Sequence, residues 1–235
     1  MTVTTSSLTR AAGAAAVVAG AMFIGVQIGH PPLTLTTITT TDVLVRDSCK
    51  VLMAALAVAG ISGMYLSQVR RNGVLGLLGY LVLSAGYLLI MCTTFLATFV
   101  VPPIAHTNPG FVQDVIALAT SRGTVTGDVG ALGTVWQAQG MLYLAGGLLF
   151  GIALYRARVL ARWAAVLLAV GGLASIVLAL MPDAFYRTLA FPNAVAMIGL
   201  GVSLWRSQRQ TADDSGPAAE VGDRRATTTG GEATA

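Results

Sequence analysis

Residues 143–173, YLAGGLLFGIALYRARVLARWAAVLLAVGGL, decide the fold. An uncharged run ends at Tyr155, the turn carries Arg156, Arg158 and Arg162, and Trp163 opens a second uncharged run. Lipid offers the backbone no hydrogen-bond partners, so a continuous apolar run must satisfy its own N–H and C=O groups as a helix. These runs also lack the alternation of a barrel strand. At 1.5 Å per residue, about 20 residues cross a hydrocarbon core about 30 Å thick. The stretch therefore reads as two antiparallel membrane helices joined by a short basic turn.

The same pattern extends in both directions. No Asp, Glu, Lys or Arg occurs in 11–41, 51–69, 72–113, 129–155, 163–182 or 188–205. These windows predict an all-α, integral membrane six-helix bundle with spans at 11–29, 49–69, 74–101, 133–155, 163–181 and 187–205. Pro192 makes the last span the shortest uninterrupted helix. Of the 235 residues, 55% are hydrophobic and 10% charged, and the mean hydropathy is +0.75. A water-soluble domain carries about 25% charged residues, so that class is excluded, as is disorder over the whole length. Two cysteines can build neither a disulfide scaffold nor a metal–cysteine cluster.

Basic residues give the orientation. Arg10, Arg70, Arg71, Arg156, Arg158, Arg162, Arg206, Arg209, Arg224 and Arg225 fall on one side of the spans, against Arg46, Lys50, Arg122 and Arg187 on the other. The positive-inside rule then puts both termini in the cytoplasm. The net charge of +4 follows from this topology, and no nucleic-acid partner is expected. Trp136, Trp163 and Trp205 all stand at span ends, where interfacial anchors belong. Arg10 precedes an Ala-rich run as in a signal peptide. That run continues to Gly29, longer than a usual signal core, and no A-x-A site precedes a polar start, so the first span is expected to be retained. The 14 basic residues include a single Lys, a bias read as high-GC bacterial codon usage, which points to a cytoplasmic (inner) membrane.

The loops on the outer side are the long ones. In 30–48 the Thr-rich LTLTTITTTD predicts extended backbone. In 102–132, Asn108-Pro109-Gly110 reads as a helix start, and Phe111, Val112, Val115, Ile116 and Ala119 predict an amphipathic helix over 110–121, with Gln113 and Asp114 on its polar face. It serves either as a packing lid or as a gate. The tail, 210–235, has almost no large apolar residues and is expected to be disordered in the cytoplasm.

Candidate chemistry is sparse. No span interior carries a charged side chain, which disfavours ion-coupled transport. There is no P-loop, dinucleotide fingerprint, HExxH or CxxC, and no cofactor or metal is expected. Cys49 lies 22 residues before Arg71 and Cys92 lies 21 after it, so a hairpin centred there brings both thiols to one depth on the outer side. Two unpaired thiols, a structural disulfide and a redox pair all satisfy that spacing. His30 and His106 share the outer ends with Asp42, Asp47, Asp114 and Asp128 without a diagnostic metal spacing, while Arg46, Asp47, Lys50, Asp183 and Arg187 are expected to form ion pairs at the headgroup boundary. Tyr80 and Tyr87 share a face of the third span and Gln139 and Tyr143 share a face of the fourth. With Gln137 they are candidates for a polar cavity between those spans, or for interhelical hydrogen bonds alone.

The stretches TRAAGAAAVVAGAMFIG near the N-terminus and YLAGGLLFGIALYRARVLARWAAVLLAVGGL resemble small bacterial multi-pass membrane proteins grouped as domain-of-unknown-function families, with Ala161 where Pro often stands. The resemblance implies a multi-helix membrane fold and transfers no catalytic residue. The function expected from the sequence is non-catalytic interaction or regulation in the lipid bilayer, with another membrane protein or a second copy as partner. A permease for a small molecule or lipid, and an outward-facing thiol oxidoreductase using Cys49 and Cys92, are the alternatives.

Overall fold

The computed structural model describes residues 4–179 and 191–207. Among them the chain is all-helical. The elements are α1 (Thr5–Gln27), α2 (Thr41–Leu66), α3 (Val69–Phe95), α4 (Pro109–Thr120), α5 (Leu132–Ala157), α6 (Arg162–Ala179) and α7 (191–207). Four helical segments, Thr5–Gln27, Thr41–Leu66, Val69–Ile104 and Leu132–Ala157, are long and apolar enough to cross a membrane. The Arg-rich turn behaves as read: α5 stops at Ala157, Arg158 takes a left-handed conformation at φ 56°, and α6 starts at Arg162. The Arg162 guanidinium sits 4.1 Å over the Tyr155 ring, and the Ala161 N–H donates to Ser203 Oγ at 3.0 Å, which ties the turn to α7. The ends of the fifth and beginning of the sixth expected spans, Asp183, Arg187 and the tail 210–235 lie outside the described residues.

Helix neighbours follow from glycine placement. The α3–α5 pair is the most extensive, and α1–α2, α2–α3 and α5–α6 also pack directly. A methyl placed on Gly79 of α3 would fall 2.5 Å from the Phe150 backbone nitrogen, and one on Gly86 would fall 2.8 Å from that of Tyr143. From the other side, Gly146 of α5 meets the Leu83 backbone. Between α5 and α6, Gly151 faces Ala165 and Ala169; between α1 and α2, Ala12 and Ala16 meet Gly63 and Gly60. Gly13 and Gly20 take α7 against α1 at Gly201 and Ala194, which closes a ring of α1, α2, α3, α5, α6 and α7. Small residues of this kind let membrane helices approach to backbone contact. Ala55 and Ala59, which share the small-residue spacing of Gly63, are exposed instead, one helical face away from the Gly60 contact. Within the ring Phe150, Ile61, Met64, Leu83, Leu154 and Leu200 are fully buried.

Three local expectations are corrected. The helix α2 begins at Thr41 rather than at 49, because Asp42 and Arg46 pair across one helical turn at 2.9 Å and so remain compatible with helix. Residues 35–39 form turns rather than extended backbone: the Thr34 N–H donates to Thr37 Oγ1 at 2.8 Å, and the Thr37 hydroxyl donates to the Pro32 carbonyl at 2.7 Å. Local threonine bonding outweighs the β-branched preference here. The amphipathic helix exists as Pro109–Thr120, capped by Asn108 Oδ1 accepting from the Phe111 N–H, but Asp114 is buried and not on its outer face.

Over-packing at the tightest glycines should be felt directly. Gly79→Ala is expected to destabilise the bundle by about 1–3 kcal/mol, since the neighbouring atoms are backbone. Gly25→Ala, where a methyl meets nothing within 4 Å, should leave stability unchanged or slightly raised. Unfolding of both variants in detergent checks the difference.

Candidate functional site

The helices that meet at backbone contact around Gly79 and Gly86 do not do so at the end carrying the long loops. There the facing residues are Ile90, Thr93, Thr94 and Ala97 on α3 and Trp136 and Gln139 on α5, and a cavity of about 1040 Å³ opens between them. Gln27 and His30 from the end of α1 and its loop, Asp47 and Lys50 from α2, and Ile116, Ala119 and Thr120 from α4 complete its walls, with Arg122 at the loop that follows. Beyond Phe95 the chain takes a π-helical turn, Leu96–Val100, in which Val101 N–H bonds to the Leu96 carbonyl at 3.0 Å. Ala97, the first small residue of that turn, lines the cavity.

A charged cluster forms one wall. Lys50 Nζ lies 2.6 Å from Asp47 Oδ1, one helical turn away, and 2.8 Å from His30 Nε2. His30 Nδ1 is 2.8 Å from the Pro31 carbonyl and donates to it, so Nε2 keeps its lone pair and accepts from the ammonium. The imidazole is thereby assigned as the neutral Nδ1–H tautomer. Asp47 Oδ1 lies 3.4 Å from His30 Nε2, and the ammonium stands between the two acceptors. The loop that brings His30 here turns at Gly29, whose φ of 66° favours glycine, and Arg46 Nη1 holds it by donating to the Ile28 carbonyl at 2.7 Å.

The roof is α4. Val112 and Val115 bury against Ile38 and Val101, with Phe111, Ile116, Leu132 and Trp136 packed around them. Asp114 fastens the following loop: its Oδ1 accepts from Thr126 N–H at 2.8 Å and its Oδ2 from Gly127 N–H at 2.9 Å. The backbone bond from Thr126 comes first among the influences on this carboxyl, and with Gly127 and the Thr126 hydroxyl it outweighs desolvation. Its pKa is held below the ordinary 3.8.

The residues singled out in the sequence separate. Tyr80 stacks on Tyr65 of α2 at 4.7 Å and its hydroxyl lies 3.2 Å from Ser62 Oγ. Tyr87 instead packs edge-on to Tyr143 of α5 at 5.3 Å, and Tyr143 accepts from Asn193 Nδ2 of α7 at 2.8 Å. These three are interhelical contacts, directed to different neighbours because α3 lies between α2 and α5. Gln137 is exposed. Only Gln139 reaches the cavity, where Oε1 accepts from the Thr93 hydroxyl at 2.5 Å. Cys49, half-buried, and Cys92, exposed, are free thiols with no disulfide between them. The rotation of α3 that buries Thr93 turns Cys92 outward. His106 is exposed, away from the His30 cluster. Among the described residues no three His, Cys, Asp or Glu side chains gather where a metal could sit. Lys50 and Asp47 were legible as an ion pair, but their place in a cavity wall was not: Thr94, Ala97, Ile116 and Trp136 come from separate elements that no sequence spacing connects.

No family model, curated protein or solved structure matches this chain.

Two outcomes follow. Lys50→Met leaves a carboxylate that is 7% exposed without its cation, and is expected to cost about 3 kcal/mol in unfolding measurements. The double variant Asp47→Asn/Lys50→Met, which removes both charges, should recover most of that loss. For Asp114 the folded pKa is depressed, so its tie stabilises above the ordinary 3.8 and is lost as pH falls through the lower folded value. Hydrogen-exchange protection at Thr126 and Gly127, measured against the intrinsic rate at each pH, should therefore be lost only in that acid range in the wild-type chain. That protection should already be missing at neutral pH in Asp114→Ala.

Proposed function

We propose that this chain is a six-span protein of a bacterial inner membrane, with both termini cytoplasmic, that binds a small amphipathic molecule in the cavity at its outer end, as a lipid-handling protein or permease does. The observation that carries this reading is the cavity itself. At about 1040 Å³ it is as large as the largest small-molecule sites, and its lining joins apolar side chains such as Ile90, Ala97 and Ile116 to polar and charged ones such as His30, Asp47, Lys50 and Gln139. Its position at the end opposite the Arg-rich turns 70–73 and 156–162 corresponds to the outer side by the positive-inside rule. The ring closed by α6 and α7 supports the fifth and sixth spans.

Gly60, Gly63 and Gly151 each meet a neighbouring helix of the same molecule, whereas Ala55, Ala59 and Gly25 stay open on the surface. The closest small-residue contacts are thus made within the chain, which weakens the case for an interaction protein. The unbonded thiols, one facing outward, give the oxidoreductase alternative no support either.

Native mass spectrometry of the protein released from mild detergent tests the reading. A tightly retained amphiphile is expected on the wild-type chain. Ala97→Trp, which fills the cavity from α3, should remove it while leaving the fold intact by circular dichroism. Equal lipid retention by the two proteins would overturn the reading.

A further inference from the structure

We infer, building on the cavity-binding reading above, that the bound amphiphile carries an anionic head, a carboxylate or a phosphate, and that Lys50 is the residue that anchors it. The charged wall shows its two signs unequally. The Asp47 side chain is 9% exposed and that of Lys50 25% exposed, and both line the cavity. The cation is thus presented to a ligand while the carboxylate is held behind it. An ammonium has three N–H donors. Asp47 Oδ1 and His30 Nε2 take two, which leaves one for the cavity.

The other groups with unused hydrogen-bond capacity point the same way. Gln139 commits Oε1 to the Thr93 hydroxyl, so its amide N–H groups remain, and Trp136, which also lines the cavity, brings an indole N–H that has no hydrogen-bond partner among the described residues. Both donor-bearing side chains line a cavity whose walls also include Ile90, Ala97 and Ile116. A head that is rich in acceptors and bears negative charge satisfies them, and charge-assisted bonds of this type are the strong ones. An apolar chain leaving the head would lie along Ile90, Ala97 and Ile116, where burial is favourable. A cationic head would meet the Lys50 ammonium and leave these donors without acceptors.

The test uses full-length protein in dodecyl maltoside, with Trp163→Phe and Trp205→Phe so that Trp136 alone reports. Dibromostearate and a brominated phosphatidic acid are titrated as heavy-atom quenchers of Trp136, beside a brominated monoacylglycerol as the neutral analogue. The expected result is saturable quenching by at least one anionic probe, with affinity about tenfold above that of the neutral one. That preference should be lost in Lys50→Met and in the charge-neutral Asp47→Asn/Lys50→Met, whose fold is checked by circular dichroism. Saturation by dibromostearate alone identifies a fatty-acid carboxylate as the head; by phosphatidic acid alone, a phospholipid phosphate; by both, the shared charge. Saturable quenching by the neutral analogue with equal affinity, or an anion preference that survives loss of Lys50, would overturn the inference and leave the cavity-binding reading standing. No saturable quenching by any probe would overturn both.

Discussion

The close approach of α3 and α5 is the constraint on which the rest of the molecule depends. Gly79, Gly86 and Gly146 remove the side chains that would hold these helices apart, so each helix meets the other's backbone at Phe150, Tyr143 and Leu83. In lipid the hydrophobic effect gives helices no reason to associate, and contact at this range, through dispersion, is what holds them. The glycine pairs end at Gly86. Beyond it, α3 presents Ile90, Thr93, Thr94 and Ala97, and α5 presents Gln139 and Trp136; these cannot interlock as the glycines do, and the space between them becomes the cavity. Tight packing at one level and a large opening at the next are two results of one sequence gradient along the pair.

The cavity is kept from collapsing by polar ties around its rim. Arg46 holds the end of α1 through the Ile28 carbonyl, Lys50 joins Asp47 to His30, and Asp114 fastens the loop after α4 through Thr126 and Gly127. Each tie joins a helix to a loop, so the loops at this end are structural walls. Burying Asp47 and Asp114 carries a desolvation cost, and the bonds they accept offset it.

The sequence made the helices legible because charge-free windows are a strong signal, and the basic turns at Arg70–Arg71 and Arg156–Arg162 located the hairpins. It misjudged the start of α2, since Asp42, Arg46 and Asp47 read as a loop when weighed one at a time but pair within a helix, Asp42 with Arg46 and Asp47 with Lys50. The tyrosines were placed on the correct helices. Their partners were not, because a seven-residue spacing puts Tyr80 and Tyr87 on one face of α3 and cannot say that one meets α2 and the other α5. Equal depth for Cys49 and Cys92 likewise carried no information on rotation. Of the candidate site Gln139, the Asp47–Lys50 pair and the placement of His30 and Trp136 at the outer end were visible in advance; the other walls are brought together by tertiary packing.

The central claim is that a water-accessible cavity penetrates the bundle between α3 and α5 at the His30 end. Cysteine accessibility measures this most directly. In a background of Cys49→Ser and Cys92→Ser, Thr94→Cys places a thiol on the cavity wall, and Leu88→Cys places one on the exposed apolar surface of the same helix. The account predicts that a membrane-impermeant, charged methanethiosulfonate reagent modifies Thr94→Cys rapidly and Leu88→Cys slowly in intact membranes. Protection of Thr94→Cys to the level of Leu88→Cys would contradict it.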